Sequence, residues 1–114
     1  MEDSLSSVIG SLKELSKVPP KKVRKLRPLL VAAGDQSFFV HNGPVLKDLR
    51  ELKEALETMS DAQYRYHVNA QRNDFASWVA AILHDPRCAA QLLATQSRLE
   101  ASQAVAKTLQ GYIL

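Results

Sequence analysis

The stretch from His67 to Trp78 holds the residues of this chain that are best suited to chemistry. Within twelve residues it contains the chain's only tryptophan, a histidine, two asparagines and an aspartate. The candidate recognition residues are His67, Asn69, Asn73, Asp74 and Trp78. In one interpretation they form an exposed pocket beside Trp78 that binds a peptide or a small ligand. In the other they organise a helix junction, in which Asn73 caps a helix, Asp74 favours its first turn and Trp78 enters the core. We favour the junction.

Metal binding and catalysis have weaker support in the sequence. His84 and Cys88 stand four residues apart, and His41 and His67 could add ligands. Structural zinc sites usually combine paired Cys/His motifs, whereas this chain has one cysteine and a proline inside the pair. The four glycines are scattered, so there is no phosphate loop, and no Cys, His or Asp has a recognisable nucleophile context. We therefore expect a non-enzymatic protein without a metal or a cofactor.

A run of cations gives the clearest electrostatic signal. The candidate phosphate-binding residues are Lys21, Lys22, Arg24, Lys25 and Arg27. Prolines flank the run, so these side chains are expected to be solvated or bound to a partner. Binding to nucleic acid through them would be weak and salt-sensitive, and no aromatic residue interleaves them to stack on single strands. The interpretation that we favour is a solvated linker that keeps the protein soluble, and acidic protein or membrane surfaces are further candidate partners.

The elements that carry these residues divide the chain into three parts. The sequence predicts an amphipathic helix over residues 1–16 and a basic, proline-flanked linker over residues 17–35. The apolar stripe of the helix consists of Leu5, Val8, Ile9, Leu12 and Leu15. Because Pro19 and Pro20 separate this stripe from the rest, we expect it to dock on a protein partner or to self-associate.

Residues 36–114 predict a compact, mainly α domain of four to six helices with one short β-hairpin near residues 37–46. The hairpin is indicated by apolar residues around the Asn42-Gly43 turn. Leucines at helical spacing over residues 46–59 predict the first helix. Capping boxes at Ser60 and Ser97 and N-caps at Asn73 or Asp74 and at Asp85 predict where further helices begin. Gly111 is expected to end the last helix.

Several motifs of this domain occur together in a recognisable order. They are Phe39-Val-x-Asn-Gly, Leu49-x-x-Leu-x-x-Ala-Leu56, and His67-Val-Asn-x-x-x-Asn-Asp-Phe-x-x-Trp-Val79. The combination, over about residues 36–105, resembles a family of small prokaryotic domains of unknown function. The resemblance implies no substrate or catalytic residue. It implies glycine and leucine where this chain has His84 and Cys88, so these two are poor candidates for a shared site.

Composition and charge limit the remaining possibilities. The chain has 114 residues and a net charge of +3, and its longest apolar run is far shorter than a membrane span. A single cysteine and the absence of a recognisable signal sequence favour the cytoplasm. The sequence therefore predicts a cytoplasmic protein-interaction or adaptor module. The alternatives are a protein that binds nucleic acid through the basic arm and a small-ligand-binding domain centred on His67, Asn73 and Trp78.

Overall fold

The computed structural model describes residues 26–113, which fold into five short helices, a β-hairpin and a second two-stranded sheet. The helices are α1 (Leu49–Thr58), α2 (Asp61–His67), α3 (Asp74–Ala81), α4 (Pro86–Ala94) and α5 (Arg98–Leu109). The strands are β1 (Arg27–Pro28), β2 (Phe38–Phe39), β3 (Val45–Leu46) and β4 (Tyr112–Ile113). The predicted mainly α domain with a short hairpin near residues 37–46 is confirmed. Over the described range, no helix is long and apolar enough to cross a bilayer.

The hairpin forms where the Asn-Gly turn predicts it. Phe38 lies opposite Leu46 and Phe39 opposite Val45 in an antiparallel pair. Asn42 has a φ of 54°, in the left-handed region that asparagine tolerates better than most residues. A Cβ atom on Gly43 would lie 2.8 Å from a methyl group of Val40, so the turn requires glycine there. Phe38 and Leu46 enter the core, whereas Phe39 and Val45 remain exposed on the opposite face.

Each of the five α-helices in the described residues begins at a side chain that accepts a hydrogen bond from the backbone of its first turn. These N-caps are Asp48, Ser60, Asn73, Asp85 and Ser97. The capping box at Ser60 is complete. At Ser97 it is only half formed, because Glu100 accepts from the N–H of Gln96 rather than from that of Ser97. Whether Glu100 accepts from Gln96 or from Ser97, a backbone N–H just before α5 that has no partner within the helix gains one.

The core lies between α1 and α5 on one side and α3 and α4 on the other, with α4 also packed on α5. Its fully enclosed side chains include Leu52 and Leu56 from α1, Val79 from α3 and Val105 from α5. Burying each such side chain contributes about 1.5–3 kcal/mol. Helices of seven to twelve residues are unstable alone, so this packing maintains them.

Arg98 connects α1 and α5, two helices that are far apart in the sequence. It is the first residue of α5, and its Nη1 donates to the carbonyl oxygens of Leu56 at 2.7 Å and Glu57 at 3.0 Å. These carbonyls belong to the last turn of α1, where carbonyl groups have no N–H donor within their own helix. The end of α1 is therefore closed by the beginning of α5.

Residues 26–35, the second half of the range predicted as a linker, lie against the helical domain. β1 pairs in parallel with β4, so that Arg27 is opposite Tyr112. The N–H of Ala32 donates to the carbonyl of Lys47 at 2.7 Å, and Ala32 is buried. The β1–β4 sheet was not predicted from the sequence. The predicted helix of residues 1–16 lies outside the described residues, as does the first half of the linker.

The backbone of His84 offers a test of the fold. His84 is exposed and has a φ of 56°, a conformation that costs a non-glycine residue about 1–2 kcal/mol. The glycine implied at this position by the family resemblance would remove that strain. We expect His84→Gly to raise the free energy of unfolding by about 0.5–1 kcal/mol after the larger entropy of the unfolded chain is subtracted.

Urea denaturation of the two proteins measures this difference. Ala33→Gly is the matched control, because Ala33 is exposed with an ordinary φ of −67° and should lose stability on substitution. Equal destabilisation by both substitutions would contradict the assignment of strain to His84.

Candidate functional site

The stretch from His67 to Trp78 crosses the junction between α2 and α3. α2 ends at His67, a bridge pairs Val68 with Asn73, and the chain turns between them. The side-chain oxygen of Asn69 accepts from the N–H groups of Gln71 at 2.8 Å and Arg72 at 3.2 Å. Asn69 is exposed, and its oxygen forms the turn.

Asn73 starts α3 as the sequence predicts. Its Oδ1 accepts from the N–H of Ala76 at 3.0 Å, and its Nδ2 lies 3.5 Å from the carbonyl of Leu92 on α4. The residue is 8% exposed. Both ends of its amide therefore serve the packing of α3 and α4, and little of it faces solvent.

His67 is 5% exposed, and both of its ring nitrogens have partners. Nε2 accepts from the backbone N–H of His41 at 3.0 Å, and Nδ1 lies 3.0 Å from Oδ2 of Asp74. The first contact places the proton of the neutral ring on Nδ1, which then donates to the carboxylate. A general base or a metal ligand needs a free lone pair, and in this arrangement that of Nε2 is occupied by the hairpin backbone.

Trp78 anchors the other end of the junction. It is 7% exposed, and its Nε1 donates to the carbonyl of Gln36 at 2.8 Å. Its ring meets that of Phe38 edge-on, with centroids 5.7 Å apart. Trp78 thus holds the residues just before β2 against α3. Its only polar side-chain atom is already bonded and does not remain for a ligand.

Asp74 is partly exposed at the start of α3. Its side chain is 35% exposed and contacts Nε of Arg72 at 3.3 Å. The rings of His41 and Tyr66 stack nearby with centroids 3.9 Å apart. The structure therefore brings His67 and Asp74 into contact, and it uses Asn69, Asn73 and Trp78 separately to shape the junction.

The other predicted site residues are placed only in part. The candidate partner helix residues Leu5, Val8, Ile9, Leu12 and Leu15 lie outside the described residues, as do Lys21, Lys22, Arg24 and Lys25. Arg27 is described and makes an ion pair with Asp85, with Nη2 2.9 Å from Oδ2. Half of its side chain is exposed, and its guanidinium lies 4.5 Å above the ring of Tyr112.

Asp85 is the centre of a cluster that sequence reasoning missed. It is 1% exposed and accepts from three donors: the N–H of Cys88 at 2.9 Å, Arg27, and the hydroxyl of Tyr112 at 2.5 Å. Burial alone would raise the pKa of Asp85, but the hydrogen bonds from Tyr112 and Cys88 and the charge of Arg27 outweigh it, so the pKa lies below its ordinary value. The Asp85-Pro86 motif predicts that Asp85 caps α4, which accounts for the contact to the N–H of Cys88. It does not predict the contacts to Arg27 and Tyr112.

Cys88 and His84 do not form a shared metal site. Cys88 is buried, burial raises the pKa of its thiol, and its side chain contacts that of Thr108. His84 is exposed on the loop before α4. Among residues 26–113, no three His, Cys, Asp or Glu residues are grouped closely enough to hold a metal ion.

The role of Asn73 can be tested by two substitutions. Asn73→Ala removes the cap of α3 and the contact to Leu92, so we expect it to lower the free energy of unfolding by about 1–2 kcal/mol. Asn73→Asp keeps an oxygen that accepts from Ala76 and should retain most of the stability. Chemical denaturation followed by Trp78 fluorescence measures both. If Asn73→Ala unfolded at the same denaturant concentration as the wild type, the cap would contribute nothing to stability.

The lowered pKa of Asp85 predicts a pH dependence. A carboxyl group whose pKa is lower in the folded state than its ordinary value of 3.8 adds stability above that value, and the stability is lost as pH falls through the folded-state pKa. Asp85→Asn should therefore cost about 1–3 kcal/mol at pH 7, and the difference from wild type should shrink below pH ~4.

Denaturation of both proteins between pH ~3 and ~8 covers this range. Tyr112→Phe is the control, because it removes one hydrogen bond and leaves the carboxylate in place. A difference between wild type and Asp85→Asn that stays constant down to the lowest pH would contradict the assignment.

Comparison with known proteins adds no assignment to this geometry. No family model, curated protein or solved structure matches the chain.

Proposed function

We propose that this protein is a non-enzymatic protein-interaction module that binds a second copy of itself through the outer face of the β2–β3 hairpin. The observation that carries the proposal is the exposure of Phe39 and Val45. They lie opposite each other in the ladder and are 62% and 44% exposed. Burying side chains of this size is worth about 1.5–3 kcal/mol each, and that gain is available to an interface.

A third apolar side chain borders the same strand. Val31 is 62% exposed and precedes Ala32, whose N–H donates to the carbonyl of Lys47 just after β3. Phe39 and Val45 thus lie in the paired strands, and the backbone beside Val31 is hydrogen-bonded to the residue just after β3. We call Phe39, Val45 and Val31 the hairpin face. Grouped apolar side chains of this kind indicate an interaction surface more strongly than single exposed leucines do.

The charges beside the hairpin face suit a two-fold pairing. Lys47 follows β3, and Glu51 lies in the first turn of α1, where its carboxylate accepts from the N–H of Lys47 at 2.7 Å. A two-fold axis through the hairpin face can bring the lysine of one copy towards the glutamate of the other. Most oligomers of identical chains use such a symmetric patch, on which apolar residues meet their own equivalents.

The lack of catalytic activity remains part of the proposal, and so does the cytoplasmic location. The first is supported by the junction at residues 67–78, where the nitrogens of His67 and the indole of Trp78 are already engaged. The same observation leaves the small-ligand alternative without an open polar surface on those two residues. The predicted stripe of Leu5, Val8, Ile9, Leu12 and Leu15 remains a second candidate docking element.

Phe39→Ser should abolish self-association while preserving the fold. We expect sedimentation equilibrium to show a wild-type dimer at micromolar to millimolar concentrations and a Phe39→Ser monomer throughout. Leu93→Ser is the matched control, because Leu93 is 66% exposed on α4, away from the hairpin. Circular dichroism should show the same helical content for all three proteins.

A monomeric wild type at every concentration would overturn the proposal. Deletion of residues 1–16 separates the two docking elements. If the deletion yields a monomer and Phe39→Ser remains a dimer, the N-terminal stripe carries the association and the hairpin face does not.

A further inference from the structure

A cleft of about 690 Å³ lies between the start of α4 and the end of α5, and cations line it. They are Arg27 beside β1, Arg87 in the first turn of α4 and Lys107 in the last turn of α5. The only carboxylate among the described lining residues is Asp85. Since Asp85 is buried and already accepts from three donors, the accessible charge of the cleft is positive.

Arg87 occupies a position that its own helix disfavours. The N-terminus of a helix carries a partial positive charge, so a cation in the first turn lowers stability and an anion raises it. An anionic group bound between Arg87 and the helix end would reverse that unfavourable interaction. Lys107 comes from a different helix, which makes the concentration of cations a property of the cleft rather than of one helix terminus.

The guanidinium of Arg27 is already ordered at the position where it would bind an anion. Asp85 fixes its Nη2, and the ring of Tyr112 supports the guanidinium plane. A guanidinium has five N–H donors, and the contact to Asp85 uses only Nη2, so donors remain for a second partner. An arginine that is already ordered loses less entropy when it binds.

We propose that this cleft binds the phosphate groups of a nucleic-acid backbone. In the sequence, Arg27 is the last member of the basic run that contains Lys21, Lys22, Arg24 and Lys25, and it is the member of that run that the structure describes. The five cations of the run, together with Arg87 and Lys107, exceed the charge of about −2 on a single phosphate group, whereas a chain of phosphates can contact several cations in series. The described lining residues include no aromatic side chain, so the contact is to the backbone and is independent of base sequence.

The proposal is independent of self-association, because the hairpin face contributes no residue to the cleft. Arg87→Gln combined with Lys107→Gln in the full-length chain tests it without disturbing the pairing of Arg27 with Asp85. The measurement is fluorescence anisotropy of a labelled mixed-sequence DNA duplex over a range of salt concentrations. We expect the double variant to bind about tenfold or more weakly at low salt, and the slope of log K against log salt to flatten by about 2.

Arg65→Gln combined with Lys53→Gln is the matched control. It removes the same charge from exposed or half-buried positions on α2 and α1 that do not line the cleft. The control should retain most of the affinity and most of the salt slope. Equal losses in the two double variants would overturn the cleft assignment, as would a wild type that binds no duplex at low salt.

Titration with inorganic phosphate, followed by amide chemical shifts, separates a small anion from a nucleic acid. Shifts at Arg87 and Thr108 that saturate with phosphate, together with no binding of duplex, would assign the cleft to a small phosphate and overturn the proposal. Duplex binding that phosphate weakens through the same amides would support it.

Discussion

A carboxylate that is almost completely enclosed needs donors from the protein, and the ends of the described chain are arranged around that need. Asp85 receives Arg27 from β1, the hydroxyl of Tyr112 from β4 and the N–H of Cys88 from α4. β1 and β4 have two residues each, too few for a sheet that is stable by itself. The contacts to Asp85 therefore fix both strands against the helices, and they place the guanidinium of Arg27 at the cleft.

His67 performs the equivalent task on the other side of the domain. Its ring joins the backbone of the hairpin, the end of α2 and the first residue of α3. Its ring contacts that of Phe38 edge-on and that of Phe75 at a tilt, with centroids 4.9 Å and 5.2 Å away. Polar residues at such joints resemble a site in sequence because both uses need hydrogen-bonding side chains. A structural joint differs from a functional site in that none of its hydrogen-bond donors or acceptors remains free for a ligand.

Apart from Arg27, the functional proposals rest on side chains that the fold leaves exposed. Phe39 and Val45 alternate with buried neighbours, because successive side chains of a strand point to opposite faces. Arg87 and Lys107 contribute charge to the cleft, and neither has an ion-pair partner among the described residues. The structure thus separates an apolar surface at the hairpin from a cationic cleft at α4 and α5.

The sequence by itself determined where four of the five described α-helices begin and where the hairpin turns. Ser60, Asn73, Asp85 and Ser97 cap backbone groups three residues away, and the turn needs only Asn42 and Gly43, so neighbouring residues encode these features. Only the tertiary structure decided that Asp85 meets Tyr112 and Arg27, which are 27 and 58 residues away. It also decided that both nitrogens of His67 are engaged and that Lys107 and Arg87 line the same cleft. Such contacts depend on how whole helices pack, and no local pattern of residues records that packing.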